Sequence, residues 1–590
     1  MNFGLEQKDC CSKPLKVLKT KRRSVITLHI GGFIAAETIG ICTACGRTCG
    51  SPELARLVPA GCNFGYDILV YVGQALFLRH RRSQDICDEL ATHNIRISPS
   101  EVEYLARKFI IYLAIAHRQA APAIKQAMHA RGGYILHLDA TCDGKEPFLM
   151  SSLDSISQIV LGNVKLPSEK AETIIPFLEQ IKRLFGEPIA SVHDMGAGIL
   201  RAVAKVFPGR PDFICHYHFL TDIGKDLLGH DYDTIRKRLR KHGIAGNLRR
   251  HARQLRQIIN DCPQLIDEFR RRVEHRPASD ATPPKARSAV ADLEWMPAIS
   301  TYGLVLWVLD GKNHGGGYGF PFDRPHVVFA QRLLSLYQDL QELKKLQLRG
   351  QWRDNRPLYK LSNELEAVFA DKILRRALTE IEPKIQTFDE LREAMRIAPK
   401  SGSQGLNADG MDMDMETIEG NVRAFRQRLA GDPKRAADKN YQKMLQQIDK
   451  YWEKLFADPI QVDTPEGKVA IQPQRTNNIM ERFFRDFKTG YRRKSGHNGM
   501  SKALQAMLAD TPLVKNLQNE SYVNILLDGK PGLEARFAEI DMESVRKQLN
   551  DSRKSLEKIP VTIKKMITKP GFPQIIAGLF RAGAAHEAVA

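Results

Sequence analysis

The sequence runs to 590 residues, with 88 Lys and Arg set against 68 Asp and Glu for a formal charge of +20. At about 100 to 200 residues per domain that length excludes a single core, and 43% apolar with 26% charged residues excludes a largely disordered or fibrous chain. The cation excess favours phosphate-bearing partners, nucleic acid first. The best apolar run, Phe109 to Ala116, stops at His117 and Arg118, well short of the ~20 residues that cross a bilayer. No membrane partner is therefore expected, and with no secretory-type opening segment the expected location is the cytoplasm, at the nucleoid.

Residues 1–78 hold six of the ten cysteines, too sparse for a disulfide scaffold and clustered as metal ligands are. Cys42-Thr-Ala-Cys45-Gly46 is a knuckle whose spacing lets two thiolates meet one zinc. Cys49 and Cys62 are the expected partners, with Cys10, Cys11 and His29 further upstream; reduced, unliganded thiols are the plain alternative. In residues 79–130, Ile86 and Leu90 share one helical face, and Ser98-Pro99-Ser100-Glu101 caps a second helix carrying Val102, Leu105, Phe109 and Leu113. Two helices around a short turn, beside Arg79, Arg81 and Arg82, resemble a helix-turn-helix DNA reader. A helical hairpin packing its own core is the alternative.

From residue 131 to 224 the pattern predicts strands alternating with helices. The expected strands are Tyr134–Asp139, a hairpin of Phe148–Leu153 and Ile156–Val164, then Pro188–His193 and Asp212–Cys215; helices are expected at Ser168–Phe185 and Ala197–Phe207. Three strands, then helix, strand, helix, strand, is the order of a ribonuclease H-like core. Residues 225–470 are expected to be an all-helical insertion, interrupted by loops at Ser279–Ala289 and Ser401–Met415. The insertion opens with nine Lys or Arg and no acid between Arg236 and Arg256. Arg236, Lys237, Arg238, Arg249, Arg250 and Arg253 are thus expected to track a phosphate backbone, against the bland alternative of a solvated face. Residues 471–510 return to the core, and 511–590 form a helical end. The fold class is thus multidomain, α/β plus all-α.

Asp139 ends an apolar strand in HLDAT and Asp194 ends another in SVHDMG. Carboxylates at neighbouring strand ends make a divalent-cation site plausible. The third acid is Glu481 in TNNIMERFFRDFK, where Thr476 and Asn477 are expected to cap a helix that also carries Arg482, Arg485, Arg492 and Arg493. Individually each acid has an ordinary role as a cap, a turn carboxylate or an ion-pair partner.

HLDAT, SVHDMG, the Cys215-His-Tyr-His218 stretch and TNNIMERFFRDFK together resemble a DDE transposase with a ribonuclease H-like core interrupted by a helical insertion, similar to Mutator-like, hAT-like and related bacterial insertion-sequence transposases. The resemblance covers roughly residues 30 to 510. It implies Asp139, Asp194 and Glu481 as catalytic residues holding two Mg2+ or Mn2+ ions, and Cys215 with His218 as the CxxH signature. It also implies terminal inverted repeats and target DNA as partners, and a homo-oligomer on DNA. A catalytically inactive, domesticated DNA-binding regulator and a nuclease without strand transfer are the alternatives.

Overall fold

The computed structural model describes the chain apart from residues 7–8, 265, 268–269, 271–296, 347–355, 398–414, 498, 557–560 and 579–590. The loops expected at 279–289 and, up to its last residue, 401–415 lie outside the described residues. Those described form two compact units, one from Met1–Asp212, Pro459–Pro473 and Asn477–Ala590, the other from Phe213–Asp458 and Gln474–Thr476.

The first unit opens with a mixed sheet, β1 (Asn2–Phe3), β2 (Asp9–Cys10), β3 (Lys13–Thr27), β4 (Gly31–Cys42) and β5 (Thr48–Cys49). Its body is the antiparallel β3/β4 ribbon, with β1 and β5 paired to β4 and β2 to β3. Helices α1 (Pro52–Leu57), α2 (Tyr66–Phe77), α3 (Ser83–Thr92), α4 (Pro99–Gln119) and α5 (Ala121–Ala130) follow. Ser51 caps α1 and Ser98 caps α4, each accepting a backbone N–H of the first turn.

A helix apolar on all sides must be buried on all sides, and α4 is: every residue from Lys108 to His117 is buried. His117 is hydrogen-bonded on both nitrogens, Nδ1 to Tyr522 Oη and Nε2 to the Leu161 carbonyl, each at 3.0 Å. The α3–α4 pair is therefore a hairpin inside the core, and the second helix of the expected DNA reader has its central turns enclosed. Its flanking cations have local partners: Arg81 pairs with Glu89 at 3.1 Å, Arg82 with Asp85 at 2.9 Å, and Arg79 lies over the Tyr71 ring.

The second sheet is close to the one expected. Strands β6 (Ile135–Asp143), β7 (Lys145–Asp154) and β8 (Val160–Leu166) form an antiparallel meander. After α6 (Ala171–Phe185) comes β9 (Ala190–His193), parallel to β6, and after α7 (Ala197–Val206) comes β10 (Asp212–Ile214) at the edge. The spatial order is β10-β9-β6-β7-β8. Buried Asp154 closes the β7–β8 turn, accepting the N–H groups of Ile135, Ile156 and Ser157 at 2.9 to 3.1 Å. One continuous core joins this sheet, α2 to α7, the Glu481 helix (Asn478–Ser495) and the helices around Leu513 to Leu549. The expected helix-turn-helix region and C-terminal region are thus parts of one core rather than separate modules.

The second unit is helical, but its bounds are Phe213 and Asp458 rather than the expected 225 and 470. Helix α8 (His216–Lys241) starts directly after β10. Residues 460–471, expected inside the insertion, are instead a hairpin, β11 (Ile460–Thr464) with β12 (Gly467–Ile471), that belongs to the first unit. Within the second unit, the His216 N–H donates to the Arg475 carbonyl at 2.9 Å, so its entry and exit segments lie side by side.

Candidate functional site

Two constellations could carry chemistry. The first is cysteine. Sγ atoms of Cys10, Cys11, Cys42 and Cys45 all lie within 4.8 Å of one another, with Cys10 3.8 Å from Cys11 and 3.7 Å from Cys45. Each ligand's place follows from the backbone. Cys11 and Ser12, at φ 53° and 58°, form the two-residue left-handed turn of the β2–β3 hairpin, which turns Cys10 and Cys11 together. The ribbon register sets Leu15 opposite Cys42, bringing the start of β3 to the end of β4. Gly46, at φ 70°, closes the knuckle with its N–H on the Cys42 carbonyl at 2.9 Å.

Backbone N–H groups of Cys45 and Ala44 lower the Cys42 thiol to about 7, whereas hydrogen bonds with the Cys45 and Cys11 thiols raise the Cys10 thiol to about 12. Four soft sulfur donors at one point could bind a metal such as zinc. Two expected ligands are not among them. Cys62 Sγ instead accepts from Lys108 Nζ at 2.8 Å. Cys49 pairs opposite Gly40, two residues along β4 from Cys42, which leaves its side chain out of reach. Beyond this cluster, a bulge between Val17 and Lys19 keeps Lys16, Lys19 and Lys21 opposite Ile41, Ile39 and Glu37, so that all three exposed cations share a face. Lysines also guard an edge strand against pairing with other chains.

The second constellation lies at one end of the β6/β9 pair. The parallel register runs Ile135 with Ala190 through Leu138 with His193. Asp139 and Asp194 each follow that last pair by one residue, on strands about 4.8 Å apart, and both are half-buried. Asp139 Oδ1 accepts the Ala140 N–H at 2.7 Å. Behind Asp194, buried His193 acts as a strut, its Nδ1 2.7 Å from the Asp194 carbonyl and its Nε2 2.6 Å from Asp212 Oδ1.

The helix that carries Glu481 is tied to β6 by a clamp. Asn477, fully buried, was expected to cap its helix, but its side chain makes no capping bond. It is spent on β6: Nδ2 donates to the Leu138 carbonyl at 2.8 Å and Oδ1 lies 3.0 Å from His137 Nδ1. That amide orientation makes Nδ1 the protonated nitrogen of His137, and Nε2 has no hydrogen-bond partner among the described residues. Burial lowers the His137 pKa to about 4. The clamp seats the first turn of the helix, including half-buried Glu481, against the strand that carries Asp139. The three carboxylates do not all approach within 4.8 Å of one another as the cysteines do.

At about 100° per residue, Arg482, Arg485, Arg492 and Arg493 fall within one stripe about 100° wide, with Glu481 at its border. All four cations are exposed, while Met480, Phe483, Phe484 and Gly490 are buried on the far side.

Glu169, just before α6, is an acid that the strand-end pattern does not reveal. Burial and the charge of Asp194 raise its carboxyl above the usual range, so a fourth acid lies in electrostatic reach of this strand end. Cys215 and His218 sit at the head of α8 in the second unit, Cys215 as the buried N-cap residue and His218 in the first turn. Of the expected DNA contacts there, Arg238 turns inward: it reaches Asp371 Oδ2 at 2.6 Å, where His242 joins at 2.8 Å. Although burial alone would raise the Asp371 carboxyl, these two partners hold it well below the ordinary range. Arg236, Lys237, Arg249, Arg250 and Arg253 are exposed. No described helix is long and apolar enough to cross a membrane. No family model and no curated protein matches the sequence.

Proposed function

We propose that this chain is a DDE-type DNA transposase, cutting a phosphodiester at a transposon end and joining the released 3′-hydroxyl to target DNA. The carrying observation is the parallel register that ends on Leu138 and His193 and so sets Asp139 level with Asp194. The order of three strands, helix, strand, helix, strand within one mixed sheet supports a ribonuclease H-like core, and the Asn477 clamp supports Glu481 as the third acid.

Asp139, Asp194 and Glu481 are each half-buried and offer only hard oxygen donors, the donor type that Mg2+ or Mn2+ takes. Two such ions would supply activation of the attacking oxygen and stabilisation of the leaving oxygen. The chain's own residues do the holding. The Ala140 N–H orients the Asp139 carboxylate, the His193–Asp212 strut fixes the backbone of Asp194, and the clamp fixes the first turn beneath Glu481. The stripe of Arg482, Arg485, Arg492 and Arg493 would receive the phosphates flanking the scissile bond. Terminal inverted repeats and target DNA are the partners of this reading, with a homo-oligomer at the nucleoid as the working form.

A plasmid carrying matched terminal repeats tests it. Joined products are expected from the native chain, and Asp139→Asn, Asp194→Asn and Glu481→Gln should each abolish cleavage while end binding persists. Cleavage that survives in one variant removes that residue from the set. Cutting without joining identifies a nuclease, and binding with neither identifies a regulator.

A further inference from the structure

Within the second unit, the C-terminal turns of α8 and the start of α9 (Ile244–Asp261) wall a cavity of about 560 Å³. Arg236, Lys237 and Arg240 line it from α8, and Lys312 and His326 enter from segments some seventy or more residues further along the chain. No carboxylate lines it. Phe329 forms part of the floor, with Lys312 Nζ 4.7 Å from its ring centre. The first turn of α9 carries no acidic residue and its N-cap is Gly243; its positive dipole end is offset by the negative C-terminal end of α8, which leaves the side-chain cations to set the sign of the field.

Arg236 has a local partner in Asp233 at 2.8 Å, but Lys237, Arg240 and Lys312 add three further cations around the same concavity, an excess that an anion would relieve. The crowding is visible in the groups themselves. Burial and the nearby Arg249 charge lower the Lys312 pKa, and burial with the Lys312 and Arg236 charges lowers that of His326. A surface charge run would not need partners drawn from distant segments to face the same hollow.

The positive surface does not stop at the rim. Arg249, Arg253 and Arg256 are exposed along α9 at spacings of four and three residues, a stretch of one helical face about 10 Å long. A small anion would use the cavity alone, whereas a chain of phosphates would use both.

From these observations we infer that the cavity lined by Arg236, Lys237, Arg240 and Lys312 is a phosphate site for a nucleic-acid strand, which then continues along the α9 arginines. This rests on the reading of the chain as a DNA-acting enzyme, but it is tested by binding alone. It also reassigns the basic run: Arg238 is a structural residue, and Lys312, outside the run, is a contact.

The experiment uses the full chain and a labelled random-sequence duplex, with affinity measured between about 50 and 200 mM salt. The variants are Lys312→Gln, the pair Arg236→Gln with Arg240→Gln, and all three together. Lys434→Gln, at an exposed site elsewhere in the same unit, controls for net charge. Each lost contact should flatten the slope of log affinity against log salt by about 0.9, so the triple variant should lose roughly 40-fold less affinity across that range than the native chain. The control should keep the native slope. If Lys312→Gln does not fold, the Arg236/Arg240 pair on the exposed rim carries the test.

An unchanged slope in the folded variants overturns the inference. So does protection of the native chain against thermal unfolding by inorganic pyrophosphate, lost in the triple variant while the DNA slope stays the same, because it identifies a small-anion site. Failure of the transposase reading would change cleavage and leave these slopes alone.

Discussion

Replacing Asn477 with Leu keeps the forked heavy-atom shape and removes the clamp. Two buried partners then lose their hydrogen bonds, the Nδ1–H of His137 and the carbonyl of Leu138. Each stranded group costs about 1 to 3 kcal/mol, so about 4 kcal/mol is expected for the pair. For a unit of this size about 2 °C is lost per kcal/mol, which predicts a fall of roughly 8 °C in its unfolding midpoint. The variant should also separate placement from binding. At a temperature where it is fully folded, DNA affinity should stay within about twofold, because no phosphate-contacting cation has changed. Cleavage should drop by about 100-fold, the cost of shifting a reacting group by about an ångström. Calorimetry with a single-turnover cleavage assay reads both quantities. A midpoint within 2 °C of the native value (roughly 1 kcal/mol) would refute the claim that these bonds hold the helix. A large stability loss with native cleavage would refute the claim that Glu481 depends on them.

Acid should weaken the first unit. His117 and His137 are buried with pKa values lowered to about 4, against about 6.5 unfolded. The unfolded chain therefore binds the extra protons, and stability is full above pH 6.5 and lost as pH falls from there through 4, by about 3 kcal/mol for each histidine. Denaturant unfolding across that range checks it; the raised carboxyls of buried Asp154 and half-buried Asp510 act in the opposite sense and reduce the net fall. Cys10→Ser or Cys45→Ser should reduce bound zinc from about one per chain to well under half, while Cys49→Ser and Cys62→Ser leave it unchanged, as metal analysis after desalting will show. At Gly198 an added Cβ would stand 1.9 Å from the Glu169 carbonyl oxygen, so Gly198→Ala must push α7 off the loop before α6. A loss of about 1 to 3 kcal/mol is expected by thermal unfolding.

The strands that bear Asp139 and Asp194 were legible because their signal is local. Mostly apolar residues run up to each carboxylate, but Asp139 was expected to end its strand and instead lies inside β6, which stays paired with β7 to Asp143 after its pairing with β9 has stopped. Other features were set by distant partners. Cys10 and Cys11 join the knuckle only through the register of a long ribbon, which spacing alone does not reveal. The β11–β12 hairpin is short, and the alternation of Ile460 and Val462 with Gln461 and Asp463 covers too few residues to stand out among helices. Two misses did leave a trace in the sequence. The unbroken apolar run from Phe109 to Ala116 suits a helix enclosed on all sides better than one lying in a DNA groove. Arg238 stands about 200° around α8 from Arg236, so the two could never have served one surface.

The entry and exit of the second unit, joined by the hydrogen bond from His216 to Arg475, bear on how the chain folds. Asn477 must find His137 across 340 residues, and an open loop of that length would make the contact both slow and entropically expensive. Once the inserted unit has closed on itself, the same search spans only the width between its two ends. Synthesis then imposes a sequence of events: the sheet can form early, the inserted unit next, and the helix bearing Glu481 docks last. Nascent and truncated chains would therefore lack the Glu481 helix on β6 until the whole inserted unit had emerged.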